Sequence, residues 1–253
     1  MKIAQIALPA RAKLNLDLEV VARRPDGFHE LRTTFQSIEL HDLVTVTKAD
    51  QTSFTISGMS WSGDSNSLLN AHRVLEEVAG SKLPVAIHLD KRIPPGSGLG
   101  GASSDAAAAL RAIGSVHRLD VDLRPIAANL GADVTFFLTG GRARAEGRGE
   151  QLTELETEPG WFALAWPGFE LSTAAVYGAW DEVKGEAPNH LRRAAEHVEP
   201  RLKDFASRLG AGWQMTGSGS AFFKACTEEM AARKSVEGIG GWTAVTRSVG
   251  PWA

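Results

Sequence analysis

Between Lys91 and Ile113 the chain reads Lys-Arg-Ile-Pro-Pro-Gly-Ser-Gly-Leu-Gly-Gly-Ala-Ser-Ser-Asp-Ala-Ala-Ala-Ala-Leu-Arg-Ala-Ile, and no other stretch restricts the fold as tightly. Gly96, Gly98, Gly100 and Gly101, with Ser103 and Ser104 behind them, are costly in chain entropy unless something uses them. Glycines let backbone amides approach an anion without a β-carbon in the way. A helix that follows adds unpaired amides and the positive end of its dipole. The apolar run Pro84 to Leu89 predicts a strand before the loop, and the alanine-rich run predicts a helix from about Asp105 to Ile113. Strand, glycine loop and helix together make an anion cradle from Gly96 to Ser104. Ser103 or Ser104 can cap the helix and offer a hydroxyl to phosphate or to magnesium.

Other glycine motifs fit this stretch less well. Gly96, Gly98 and Gly101 satisfy G-x-G-x-x-G, with Asp120 and Asp122 about 20 residues on. In a dinucleotide fold, however, the first glycine directly follows the strand, whereas here Ile93-Pro94-Pro95 intervenes. No buried strand leads to either aspartate. The P-loop pattern fails because Ala102 follows Gly101. A protein kinase is excluded by the lack of H-R-D and D-F-G segments downstream. The remaining bland reading is a glycine-rich turn that binds nothing.

At 253 residues and 43% hydrophobic side chains, the chain can bury a core and has room for two domains. A net charge of -3 argues against nucleic acid or an anionic membrane as a main partner. The single cysteine, Cys226, permits neither an internal disulfide nor a thiolate metal site. Pro9, Arg11 and Lys13 interrupt what would be the apolar core of a signal peptide, and no apolar run is long enough to span a membrane. A cytoplasmic, soluble protein is expected. Leu14 to Ala22 alternates with a period of two and predicts a half-buried strand, followed by a turn at Arg24-Pro25-Asp26-Gly27. Short strands are predicted at Gln36 to Leu40, Leu43 to Thr47 and Ser53 to Ser57, and a helix from Ser67 to Val78 that stops at Gly80. Glu154 to Gly160 reads as a linker before the apolar run Trp161 to Trp166, which divides the chain at 155/156.

Pro95-Gly-Ser-Gly-Leu-Gly-Gly-Ala-Ser-Ser-Asp-Ala-Ala107 resembles the phosphate-binding motif of the GHMP kinases, the superfamily of galactokinase, homoserine kinase and mevalonate kinase. Ala12-Lys-Leu-Asn-Leu-Asp-Leu18 is similar to its N-terminal motif, and Met215-Thr-Gly-Ser-Gly-Ser-Ala221 to its C-terminal one. Arg24-Pro-Asp-Gly-Phe-His-Glu-Leu31, Leu130-Gly-Ala-Asp-Val134 and Ala145-Glu-Gly-Arg-Gly-Glu150 resemble the branch that phosphorylates a cytidine-diphosphate-linked methylerythritol. The resemblance implies an α+β, two-domain architecture, an N-terminal α/β domain (1–155) and a C-terminal α+β domain (156–253), with the site in the cleft between them. It implies transfer of the ATP γ-phosphate to the 2-hydroxyl of that alcohol, with Mg2+ required and its ligands unspecified. The expected state is a monomer or weak homodimer. Another GHMP-type kinase, or a silent nucleotide-binding relative, are the alternatives.

Residue by residue, the resemblance marks Lys13 and Asp133 as catalytic, and Asn15, Phe28, His29 and Tyr177 as substrate-binding. Phe28 and Tyr177 would stack on the two faces of the base, with His29 at its polar edge; Lys13 and Asn15 would share a strand face. ATP is expected to meet Asn66, Lys91, Pro95, Gly96, Ser97, Gly98, Leu99, Gly100, Gly101, Ala102, Ser103 and Ser104, with Ser218 closing the floor. Three departures stand out. Thr135 replaces the family's usual proline, Asn189-His-Leu-Arg192 stands where N-D-L-E is usual, and the chain is short for the family, with the C-terminal half the expected place.

Overall fold

The computed structural model describes residues 4–59 and 67–252; Asn66 lies outside them. The chain opens on a long hairpin, β1 (Gln5–Arg23) and β2 (His29–Lys48), in register from Gln5 opposite Thr47 to Arg23 opposite His29. It closes at the expected turn, where Gly27 (φ 85) donates its amide to the Arg24 carbonyl at 3.1 Å. The short strands expected at Gln36 to Leu40 and Leu43 to Thr47 are thus one continuous β2. Asp42 resembles a strand break in sequence, but it is wholly buried in mid-strand.

Next come β3 (Ser53–Gly58), α1 (Ser67–Ala79), β4 (Val85–Lys91), α2 (Gly101–His117), α3 (Leu123–Leu130), α4 (Ala132–Thr139), β5 (Arg142–Gly147) and β6 (Gln151–Leu155). The first sheet runs β3-β4-β2-β5-β6, with β1 also paired to β2. Only β3 and β4 are parallel, as the intervening helix α1 requires. The apolar faces of α1, α2 and α4 cover this sheet, with Leu75, Leu110, Ile113 and Phe136 packed on Val44, Val46 and Ile87. Glu154 and Leu155 still belong to β6, paired with β5, so the chain passes to the second sheet through 156–160.

That second sheet is built from β7 (Trp161–Trp166), β8 (Gln214–Met215), β9 (Phe222–Cys226) and β10 (Trp242–Arg247), ordered β10-β7-β9-β8. Helices α5 (Thr173–Val183), α6 (Arg192–Val198), α7 (Arg201–Leu209) and α8 (Glu229–Val236) accompany it. Strand β1 ties the whole together. Its Ala10 packs in the first core, its Leu18 and Val20 pack with Val176, Trp180 and Phe205 of the second, and between them Ala12 and Leu14 join Ile93, Leu99, Phe162 and Phe223. Register shifts between Arg11 and Lys13 and between Asn15 and Asp17 interrupt the simple alternation. As a result Lys13, Leu14 and Asn15 are all buried, and the expected alternation of the half-buried strand is kept only farther on, where Leu18 and Val20 are buried with Glu19 partly exposed between them. Among the described residues no helix is long and apolar enough to cross a membrane.

Candidate active site

The glycine loop leaves β4 at Lys91 and enters α2 at Gly101, four residues before the helix start expected from sequence. Gly100, left-handed at φ 77, is the N-cap, with no side-chain cap. Neither serine therefore caps α2, because both already sit in its first turn. Ser104 is buried and turns its hydroxyl back to the Gly101 carbonyl at 2.9 Å, while Ser103 lines the cleft. First-turn amides have no helical acceptor, which leaves those of Gly101, Ala102 and Ser103 for an anion; that of Ser104 already meets the Gly100 carbonyl.

Strand β1 and segments of the second sheet lock the loop from behind. The Ala221 amide bonds the Ser97 carbonyl at 2.9 Å, the Lys13 amide bonds the Leu99 carbonyl at 2.9 Å, and the Leu171 amide bonds that of Gly96 at 3.2 Å. Gly98 (φ 79) passes so near the C-terminal glycine turn that a Cβ would lie 2.4 Å from the Thr216 carbonyl oxygen. Ser97 is buried, its hydroxyl donated to the Pro94 carbonyl at 2.6 Å, and Leu99 is fully buried between the sheets. These two loop residues contribute backbone shape.

Beneath the loop, Lys91 is 5% exposed. Its ammonium is gripped by Asp42 and, at 2.8 Å, by Asp105. Asp42 also accepts the amide of Ile93 at 2.7 Å. The ammonium that the family resemblance assigns to ATP is thus held by two carboxylates. Burial alone would lower its pKa, but Asp105 and Asp42 raise it above the ordinary value. Burial raises Asp105 to about 7 against the opposing charge of Lys91, with Asp42 adding repulsion, and Asp105 Oδ1 is buried without a hydrogen-bond partner.

The sign of that shift gives a testable pH dependence. A carboxyl raised from 3.8 to about 7 takes up its proton more readily in the folded state. Its contribution to stability is complete below pH ~4 and is lost as pH rises through ~7. Urea titrations of Asp105→Asn, which mimics the neutral acid, are expected to show a smaller fall in stability between pH 6 and pH 8 than the parent. An unchanged difference rules Asp105 out as its source.

At the mouth of the loop, Lys13 Nζ stands 3.6 Å from Asp133 Oδ2 and donates to Asn15 Oδ1, so Lys13 and Asn15 do share a face. Asn15 is held in turn, its Nδ2 donating to Thr33 Oγ1 at 2.9 Å and its backbone amide to Thr216 Oγ1 at 2.9 Å. Burial lowers the Lys13 pKa, and Asp133 opposes the shift. Asp133 lies in the first turn of α4, and its side chain is 33% exposed. Loop, ammonium and carboxylate open on one cleft of about 460 Å³ that also takes in Arg148, Glu170, Tyr177 and Ser218.

At the other end, the Tyr177 ring packs on His29 at 5.1 Å and 27°. His29 is buried, with Nε2 2.9 Å from Asp181 Oδ1. Phe28 is 53% exposed, with the Arg148 guanidinium 4.7 Å from its ring centroid. Burial, and then the charge of Asp133, push the Tyr177 phenol up. The Ser218 hydroxyl lies 3.0 Å from that of Thr173. Arg148, Glu170 and Thr173 line the cleft without a sequence expectation of their own, although Arg148 lies in the distinctive run Ala145 to Glu150; the same holds for Thr216, which sits inside the C-terminal motif and holds the Asn15 amide. Among the described residues no group of three or more His, Cys, Asp or Glu is placed to hold a metal.

The chain is similar to known proteins along nearly its whole length. Residues 66–141 match the GHMP kinases N terminal domain. The 4-diphosphocytidyl-2-C-methyl-D-erythritol kinase of Chromohalobacter salexigens is 36% identical, over 93% of this chain and 88% of that one. The enzyme of that name from Thermus thermophilus is 38% identical over 92% of both. A crystal structure of 4-(cytidine 5'-diphospho)-2C-methyl-D-erythritol kinase superposes with a TM-score of 0.84 at 35% identity, covering 97% of this chain and all of that one. Homoserine kinase from Cytophaga hutchinsonii shares the fold alone, at 17% identity and a TM-score of 0.68. Identity at this level along nearly the whole length, with a superposable fold, places the chain in the 4-diphosphocytidyl-2-C-methyl-D-erythritol kinase family of the GHMP kinases.

Proposed function

We propose that this protein transfers the γ-phosphoryl group of ATP to the 2-hydroxyl of 4-diphosphocytidyl-2-C-methyl-D-erythritol, a step of non-mevalonate isoprenoid precursor synthesis. The observation that carries the reading is the meeting of Lys13 and Asp133, 3.6 Å apart, at the open end of the glycine loop. ATP phosphates rest on the amides of Gly101 to Ser103. The acceptor oxygen attacks the γ-phosphorus, the bond to the β–γ bridging oxygen breaks, and ADP leaves. Asp133 orients the hydroxyl and takes its proton; Lys13, steadied by Asn15, offsets charge on the transferring oxygens. Arg148 and Tyr177 line the end of the cleft that receives the cytidine diphosphate, with Phe28 beside Arg148 and His29 packed on Tyr177.

Magnesium would be bound chiefly by the nucleotide phosphates, which leaves one or two positions for protein oxygens. The Glu170 carboxylate and the Ser103 hydroxyl line the same cleft and suit a hard cation; the ion would neutralise phosphate charge. We take 1–155 and 156–253 as the two lobes of a cytoplasmic enzyme, monomeric or weakly dimeric. ADP release with magnesium-ATP and the cytidyl alcohol, beside mevalonate, homoserine and galactose, tests the proposal. Turnover confined to the cytidyl alcohol is expected. Turnover of one of the others instead would replace the substrate, and nucleotide binding with no turnover would mark a silent relative.

A further inference from the structure

Asn189 stands just before α6, in the segment where the sequence departs from its family, and it is 5% exposed. Its neighbours clip onto β1: the Leu18 amide donates to the Pro188 carbonyl at 2.9 Å, and the His190 amide to the Leu18 carbonyl at 2.9 Å. The Asn189 side chain faces the other way. Its Nδ2 donates to the carbonyls of Met215 at 2.7 Å and Gly217 at 2.9 Å, and its Oδ1 accepts the Leu191 amide at 2.9 Å. Both amide protons and the oxygen are therefore engaged inside the protein.

What this side chain holds is the point where the catalytic pieces converge. A Cβ on Gly217 (φ 56) would lie 3.0 Å from the Gly98 carbonyl oxygen, 3.2 Å from Asn15 Oδ1 and 3.3 Å from Lys13 Nζ. The Gly217 backbone thus fills the space between the phosphate loop and the catalytic ammonium. We propose that Asn189 is a positioning residue for phosphoryl transfer, fixing the C-terminal glycine turn against Lys13, Asn15 and the phosphate loop by tying two of its carbonyls to the segment clipped on β1. This rests on the kinase reading above. Only a primary amide fits the place, because two donors must meet two carbonyls while an oxygen meets an amide. Aspartate has nearly the same shape but would aim lone pairs at both carbonyls.

The test compares the parent with Asn189→Asp and Asn189→Ser, the second in case the buried carboxylate prevents folding. Three quantities are measured: kcat with the cytidyl alcohol, ADP affinity by calorimetry, and peptide hydrogen exchange. Displacement by ~1 Å at a reacting centre lowers turnover by about 100-fold, so a kcat loss of about 10- to 100-fold is expected while ADP affinity stays within about threefold. Exchange should quicken across residues 215–221 and stay unchanged in β7. A folded variant with kcat within about twofold of the parent overturns the inference. So does a loss matched by lower melting temperature and faster exchange throughout the chain, which is the signature of a structural role. If the parent phosphorylates no alcohol, the kinase reading fails separately, and unaltered exchange across 215–221 still overturns the anchoring.

Discussion

Asp133→Asn is expected to keep the fold and the nucleotide but lose turnover by about 10²- to 10⁴-fold, the range for removing a positioned proton acceptor. The amide has the size of the carboxylate, and the position is one-third exposed in the first turn of α4, so little packing changes. It removes the charge facing Lys13 at 3.6 Å. Burial already lowers the Lys13 pKa and Asp133 opposes that shift, so the variant's ammonium should titrate lower still. Any residual activity should therefore decline at a lower pH on the alkaline side than in the parent. Single-turnover rates across pH, with ADP affinity measured alongside, check both parts. A variant retaining more than about a tenth of parental kcat would take Asp133 out of the chemistry and leave the loop and Lys13 to carry it.

How much of the molecule was legible in the sequence depended on whether the determinants were local. The turn at Arg24 to Gly27 and the loop glycines were readable because their constraint lies in the residues themselves: a backbone that needs positive φ uses glycine. The start of α2 was misplaced because Gly101, Ser103 and Ser104 are weak helix formers, and tertiary locking of the loop overrides that preference. Asp42 shows the opposite failure. A charged residue between two apolar runs resembles a break, and nothing adjacent reveals that Lys91, on a neighbouring strand, holds it inside. Lys13 and Asp133 are distant in the chain, so their pairing came from resemblance and not from periodicity. The mutual packing of His29 and Tyr177 depends on how α5 approaches β2, which no local pattern encodes.

Lys91→Met should destabilise the fold more than Asp133→Asn, Asp105→Asn or either Asn189 variant, by about 3–5 kcal/mol, the usual consequence of leaving a buried charge without its partner. Methionine fills the space of the lysine stem, so the loss is electrostatic. Asp42 is wholly buried and Asp105 nearly so, and without the ammonium they repel each other across a dry gap. The loss should grow with pH, since Asp105 titrates near 7 in the parent and can still be neutral at pH 6 but less readily at pH 8. Pairing Lys91→Met with Asp105→Asn should restore part of the stability at pH 8, because one uncompensated charge then replaces two. Urea unfolding of the parent, both single variants and the double variant at the two pH values reads the coupling directly. If Lys91→Met unfolds at the parental urea concentration yet loses ATP, the ammonium serves the nucleotide directly, as the family resemblance implies, and the carboxylates hold it only while the site is empty. Strong destabilisation, with the double variant partly recovered, makes it the post on which β2, β4 and the N-terminal part of α2 are fastened beneath the phosphate loop.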